Sequence, residues 1–195
     1  MGIAMRILML GNSFIFANDL PGVLAKLTGA EVVQHTRGGA RLAEQLNPKT
    51  KMGARTQAAL RDQSWDYVVL QEMSNGPITT PERFFESVCQ LCQQIRQNGA
   101  VPVLYATWAY QKGSAQLAEM GMDYGEMTRR LSEAYHQAAV QNHALVADVG
   151  RQFYKHSQGE NLYADDGVHP NRLGTQIAAE TIAAVIRGDI QGRNG

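Results

Sequence analysis

Five short runs of apolar and β-branched residues, each followed by a helix-like stretch, constrain this chain more than any other feature. The runs cover residues 7–10, 31–34, 65–71, 101–107 and 144–149. Helical patterns occupy residues 20–27, 40–45 with 53–61, 81–98, 127–142 and 173–186. Over 81–98 the apolar positions Phe84, Phe85, Val88, Leu91, Cys92 and Ile95 recur at helical spacing, after a proline at the expected first position. Over 127–142 the inner side is Leu131, Ala134, Tyr135, Ala138 and Ala139. Strands of this kind, nearly all apolar, are buried on both faces, and strand–helix alternation puts them in a parallel sheet joined by right-handed crossovers. The expectation is α/β: a three-layer α/β/α sandwich around a five-stranded parallel sheet, flavodoxin-like in topology. Residues 1–195 form one domain, with no repeat, low-complexity tract or linker to divide them.

Charge narrows the partners. Lys+Arg and Asp+Glu are both 18, so the net charge is zero and no basic run invites nucleic acid or an anionic membrane. No apolar run is long enough to span a bilayer. The first one carries Arg6 and leads into Gly11-Asn12-Ser13, not a small-residue cleavage site. Unless a signal was removed before residue 1, the expected location is the cytoplasm. The two cysteines form a Cys-x-x-Cys pair, Cys89 and Cys92, but no second Cys/His pair stands at zinc-ligand spacing. They read as structural thiols in a reducing compartment, and no metal or cofactor is expected.

Chemistry gathers at two places. The first strand ends in Gly11-Asn12-Ser13-Phe14, with capping residues Asn18-Asp19 ahead of the next helix. A strand leaving through a glycine turn toward a helix is where open α/β sheets place their ligand chemistry. Ser13 there is either a nucleophile or a cap. Near the C-terminus, Asp165-Asp166-Gly167-Val168-His169-Pro170-Asn171 sets Asp166 three residues before His169, so the carboxylate can reach imidazole Nδ1 and leave Nε2 to take a hydroxyl proton. A serine hydroxyl needs such a base within hydrogen-bond reach. A third signal, Gly38-Gly39 after the second strand, suggests backbone that either turns tightly or comes close to a ligand with its N–H groups exposed. A reading of another class is a non-catalytic flavodoxin-like module that cradles phosphate or carbohydrate on the Gly11–Ser13 and Gly38-Gly39 backbone. The first loop lacks a phosphate-loop pattern, and that reading leaves Asp166 and His169 without a task.

Gly11-Asn12-Ser13 resembles the Gly-Asp-Ser block of the SGNH (GDSL-type) serine hydrolases, and residues 166–170 resemble their closing Asp-x-x-His block. The resemblance runs over nearly the whole chain. It implies Ser13 as nucleophile, His169 as general base and Asp166 as the residue that orients it. It also implies an oxyanion hole made by the N–H groups of Ser13 and Gly39, or of Gly38 beside it, and by a side-chain amide from the third block. That block departs from the family pattern: Gly-x-Asn-Asp is replaced by residues 73–76, Met-Ser-Asn-Gly. Asn75 fits the asparagine's place, and Gln71 is the rival donor. Asn12 in place of aspartate is expected to be harmless, its role being local turn bonding.

The activity so implied is that of a serine esterase working through an acyl-enzyme on small acyl esters, including acetylated carbohydrate. Its rate should rise with pH as an imidazole base loses its proton, near the ordinary histidine value of about 6.5. Phe14, Met73 and Trp108 are candidates for the substrate pocket. The stretch 111–125, rich in Gln, Gly and Met, is either a lid or loose helix over the site or a plain connection. His35, His136, His143 and His156 are read as structural.

Overall fold

A computed structural model describes residues 2–195. The five expected strands are present: β1 (Arg6–Gly11), β2 (Glu31–Thr36), β3 (Tyr67–Leu70), β4 (Val101–Ala106) and β5 (Leu145–Asp148). They form one sheet in the order β2-β1-β3-β4-β5, and every neighbouring pair is parallel. The chain leaves β1 toward β2 on one side and returns to β3 on the other. The crevice between the carboxyl ends of β1 and β3 is therefore the topological switch point, where ligands settle in such sheets.

Strand residues alternate between two cores because successive side chains point to opposite faces. Ile7, Met9, Tyr67, Val69, Val103, Tyr105 and Ala147 enter one core. It is covered by α1 (Ser13–Phe16), α2 (Leu20–Thr28), α9 (Val149–His156) and α10 (Arg172–Arg193), along with the N-terminal half of α8 (Tyr124–Asn142). Leu8, Leu10, Val68, Leu70, Leu104 and Ala106 enter the other. That face is covered by α3 (Leu42–Gln45), α4 (Lys51–Asp62), α6 (Pro81–Asn98) and the C-terminal half of α8. Cys92 lies fully buried there as a free thiol pushed up to about 12 by burial. No helix among the described residues is long and apolar enough to cross a membrane.

Several boundaries differ from the sequence pattern. The stretch after Ser13, expected to be loop as far as Asn18, is already one turn of helix, capped by Asn12. It breaks at Asn18 and Asp19, both left-handed, before α2 begins with Asp19 as its cap. The third-block loop folds into α5 (Gly76–Thr79), and the irregular stretch contains α7 (Ala115–Glu119). Residues 149–156, outside the helical patterns of the sequence, form α9 because Asp148 caps them and Val149 and Phe153 bury against the core. The closing helix runs past the expected residue 186 to Arg193, where Arg193 pairs with Asp189.

Candidate active site

Gly11 ends β1, and the reason it is glycine lies across the sheet. A Cβ there would stand 2.3 Å from Gln71 Oε1. Without one, Gln71 comes close enough to accept the Asn12 N–H at 3.0 Å, which ties the exits of β1 and β3 together. Asn12 Oδ1 then accepts the Phe14 N–H at 3.0 Å and starts α1 with Ser13 as its first residue. First-turn N–H groups have no partner inside a helix, and the Ser13 N–H finds no other acceptor among the described residues.

Ser13 Oγ lies 2.8 Å from His169 Nε2, and His169 Nδ1 lies 2.5 Å from Asp166 Oδ2. Asp166 Oδ1 accepts the N–H groups of Val168 and His169, each at 2.9 Å. Partial burial works against the Asp166 charge. The Val168 N–H, the imidazole, the His169 N–H and attraction to the ring outweigh it and hold the carboxyl below its usual range. The side chains of His169 and Asp166 are 38% and 46% exposed, so the line of three opens to solvent.

The loop that carries this pair is fastened by four consecutive carbonyls. Gly167 O accepts the Gln111 N–H at 2.8 Å, and Val168 O accepts Trp108 Nε1–H at 2.9 Å. His169 O accepts the Ala164 N–H at 2.9 Å, and Pro170 O accepts Asn18 Nδ2–H at 2.9 Å. Asn18 also donates to Thr175 Oγ1 at 3.0 Å and so joins the turn after the serine to the start of α10. Neither Asn18 nor the indole of Trp108 was singled out for this work from the sequence, and no local pattern marks them.

Two of the proposed pocket residues take another place. Trp108 is 1% exposed, stacked against Phe153 at 4.2 Å and Phe14 at 4.7 Å. Phe14 is 3% exposed and packs edge-on against the His169 ring at 5.5 Å. They back the imidazole instead of forming an open wall, because a large flat ring gains most by complete burial. Met73 is half-buried.

The second and third loops lie beside the serine. Gly39 is exposed and left-handed (φ +70°), a conformation that costs glycine little, and no acceptor among the described residues takes its N–H. Its neighbour Ala40 is held by Asn12, whose Nδ2 donates to Ala40 O at 3.4 Å. The expected local turn bonding of Asn12 is therefore half of its work, and an aspartate could not supply the other half. Asn75 is half-buried, and its Nδ2 donates only to the weak acceptor Met120 Sδ at 3.6 Å. Gln71 is fully buried. Besides accepting from Asn12, its Nε2 donates to Glu72 O at 2.7 Å, so both ends of its amide are engaged with backbone. The 111–125 stretch touches both halves of the site, through Gln111 to Gly167 and Met120 to Asn75.

Residues 11–177, which include all of these elements, match the GDSL-like lipase/acylhydrolase family. The chain belongs to that family. A candidate SGNH hydrolase from Slackia heliotrinireducens is 52% identical over 94% of this chain and 100% of its own, with a TM-score of 0.90. A candidate lipolytic protein of the G-D-S-L family from Desulfitobacterium hafniense shares the fold at 17% identity, over 93% of this chain and 99% of its own (TM-score 0.70). The acetyl xylan esterase AlAXEase does so at 14% identity, over 93% and 100% (TM-score 0.70). No protein of curated function matches the sequence. The chain is thus an SGNH-type hydrolase on the three-layer fold of that family.

A surface cavity of about 830 Å³ is lined by Gln111, Tyr124, Tyr154 and Asn161 among others and contains neither Ser13 nor His169. The hydrogen-bonded line of Ser13, His169 and Asp166 lies outside that cavity.

Proposed function

We propose that the protein is a serine esterase that hydrolyses small acyl esters, acetylated carbohydrate among them, through an acyl-enzyme on Ser13. The observation that carries this reading is the unbroken hydrogen-bonded line from Ser13 Oγ through His169 to Asp166. Asp166, charged and holding Nδ1–H, keeps Nε2 free as an acceptor. His169 then removes the Ser13 proton as Oγ attacks the ester carbonyl, and returns it to the departing alcohol. Water repeats the sequence on the acyl-enzyme. The oxyanion is received by the N–H groups of Ser13 and Gly39, both without acceptors among the described residues, and by the Asn75 amide. The double engagement of Gln71 supports Asn75 over it as the side-chain donor. Carbohydrate acetate as substrate is supported only by analogy with the acetyl xylan esterase that shares the fold.

The test is a fluorophosphonate label, read by intact mass and peptide mapping, on wild type, Ser13→Ala and His169→Ala. One adduct on Ser13, absent from both variants, is expected, with p-nitrophenyl acetate hydrolysis lost in parallel. Folded wild type that takes no label would end the esterase reading and favour the binding module.

A further inference from the structure

Glu72 is a carboxylate 2% exposed that the chemistry above does not use. Burial raises its pKa, opposed by hydrogen bonds from Met73 and Leu42 and by attraction to Arg41 and Arg83. A carboxylate so placed needs partners. Its Oε1 accepts two backbone N–H groups, Met73 at 2.7 Å and Leu42 at 3.3 Å. Both belong to segments that matter for the oxyanion. Met73 opens the loop that carries Asn75. Leu42 is the first residue of α3, whose own cap residue, Arg41, makes no side-chain capping bond. The loop carrying Gly39 ends at that helix, so Glu72 caps it from across the sheet.

Neighbouring contacts reinforce the same joint. Arg41 Nη1 donates to Thr80 Oγ1 at 2.9 Å, a second link from the Gly39 loop to the segment after Asn75. The Glu72 N–H donates to the Tyr135 hydroxyl at 3.1 Å, which anchors the strand exit to α8. Gly76 presses so closely on the side chain that a Cβ there would lie 2.9 Å from Glu72 Cγ. One carboxylate oxygen thus joins two loops that the sequence separates by some thirty residues.

The geometry points to Glu72 as a positioning residue of the oxyanion hole: by bridging the Leu42 and Met73 N–H groups it sets the spacing between Gly39 and Asn75, without touching substrate. The inference rests on the esterase reading. An oxyanion donor acts on the transition state more than on bound ester, so loss of its placement should lower kcat and leave KM nearly alone.

Three variants decide the matter, with kcat and KM for p-nitrophenyl acetate referred to Ser13 sites titrated to completion with fluorophosphonate. Glu72→Met keeps the bulk and removes the acceptor; displacement by about 1 Å predicts a fall in kcat of roughly 10- to 100-fold, with KM within about twofold. Glu72→Gln keeps an oxygen that accepts both N–H groups and should stay within about threefold of wild type. Glu72→Asp keeps the carboxyl group but is a methylene too short to bridge, and should lose kcat several-fold. A boronic acid that mimics the tetrahedral intermediate should weaken in step with kcat. Unchanged kcat in Glu72→Met and Glu72→Asp overturns the inference, as does a Gln variant as impaired as Met, or a loss expressed in KM. Should Glu72→Met yield no titratable sites, the Asp and Gln variants decide. Wild type that neither labels nor hydrolyses removes the esterase reading itself, a different outcome from any of these.

Discussion

The loop proposed for acid–base chemistry and the loops proposed for the oxyanion are held in place by opposite means. The loop with Asp166 and His169 is fixed through its own backbone: four successive carbonyls, Gly167 to Pro170, each take a donor, two from the stretch after β4 (Gln111 and Trp108), one from Ala164 within the loop and one from Asn18. The loops with Gly39 and Asn75 are fixed through buried side chains that reach into them, Asn12 on Ala40 O and Glu72 on the Leu42 and Met73 N–H groups. A backbone clasp tolerates exchange of the side chains it carries. A side-chain clasp fails when one atom type changes, since a buried donor or acceptor left unmatched costs its full desolvation.

The largest test of that contrast is Asp166→Asn. The fold should survive, because the amide oxygen can still accept from Val168 and His169 and the carbonyl clasps are untouched. An amide NH2 facing Nδ1 forces the other imidazole tautomer, so ester hydrolysis should fall by roughly 10³–10⁴-fold. A thermal midpoint near that of wild type, with activity lost, is the expected pair; retained activity would break the proposed role.

Asn12→Asp probes the other half and comes next in size. Aspartate is the residue the family pattern places here, yet its second oxygen would oppose Ala40 O in a position 4% exposed. We expect a stability loss of about 1–3 kcal/mol by denaturant titration. The accompanying fall in kcat, on the order of tenfold, would reflect the released Gly39 loop. Wild-type stability and rate in this variant would show that the Asn12–Ala40 bond is immaterial.

The smallest effect sharpens the comparison by pH. His35 lies 5% exposed at the end of β2, just before the Gly39 loop, with Nδ1 3.0 Å from Thr56 Oγ1. Burial, then the Arg55 charge, lowers its pKa from 6.5 to about 4. The unfolded chain therefore binds a proton at higher pH than the native one. Stability from a neutral His35 is complete above about pH 6.5 and is lost as pH falls toward about 4. Asp166, whose folded pKa is depressed, contributes stability that is lost only at lower pH, as the carboxylate protonates below its usual range. Urea midpoints at pH 7.5 and 5 should differ more for wild type than for His35→Gln. Equal differences would separate His35 from this dependence.

Much of the architecture was legible because it is local. Residues 84–95 place their apolar side chains on one helix face by spacing alone, and the runs 7–10 and 65–71 are apolar enough to be interior strands. Asp166 and His169 are three residues apart, so their pairing needs no knowledge of the rest of the chain. The helix at 149–156 lies outside the helical patterns of the sequence, since only Val149, Gly150 and Phe153 bury, among many polar neighbours. Trp108 was expected along the pocket, because sequence position after a strand does not tell a wall from a core.

What the sequence determined by itself was the order of strands and helices, the parallel sheet, and the identity of a serine and an Asp-x-x-His pair at fitting positions. Only the tertiary structure decided that Ser13 and His169, separated by 156 residues, meet at 2.8 Å. It also decided that Gln71 turns its amide to Asn12 and Glu72, and that Glu72 caps a helix from another loop. The physical reason is burial. Hydrophobic period follows from residues near in sequence, whereas a buried polar atom must find its partner wherever the packed chain happens to bring one, and no spacing rule along the chain encodes that place.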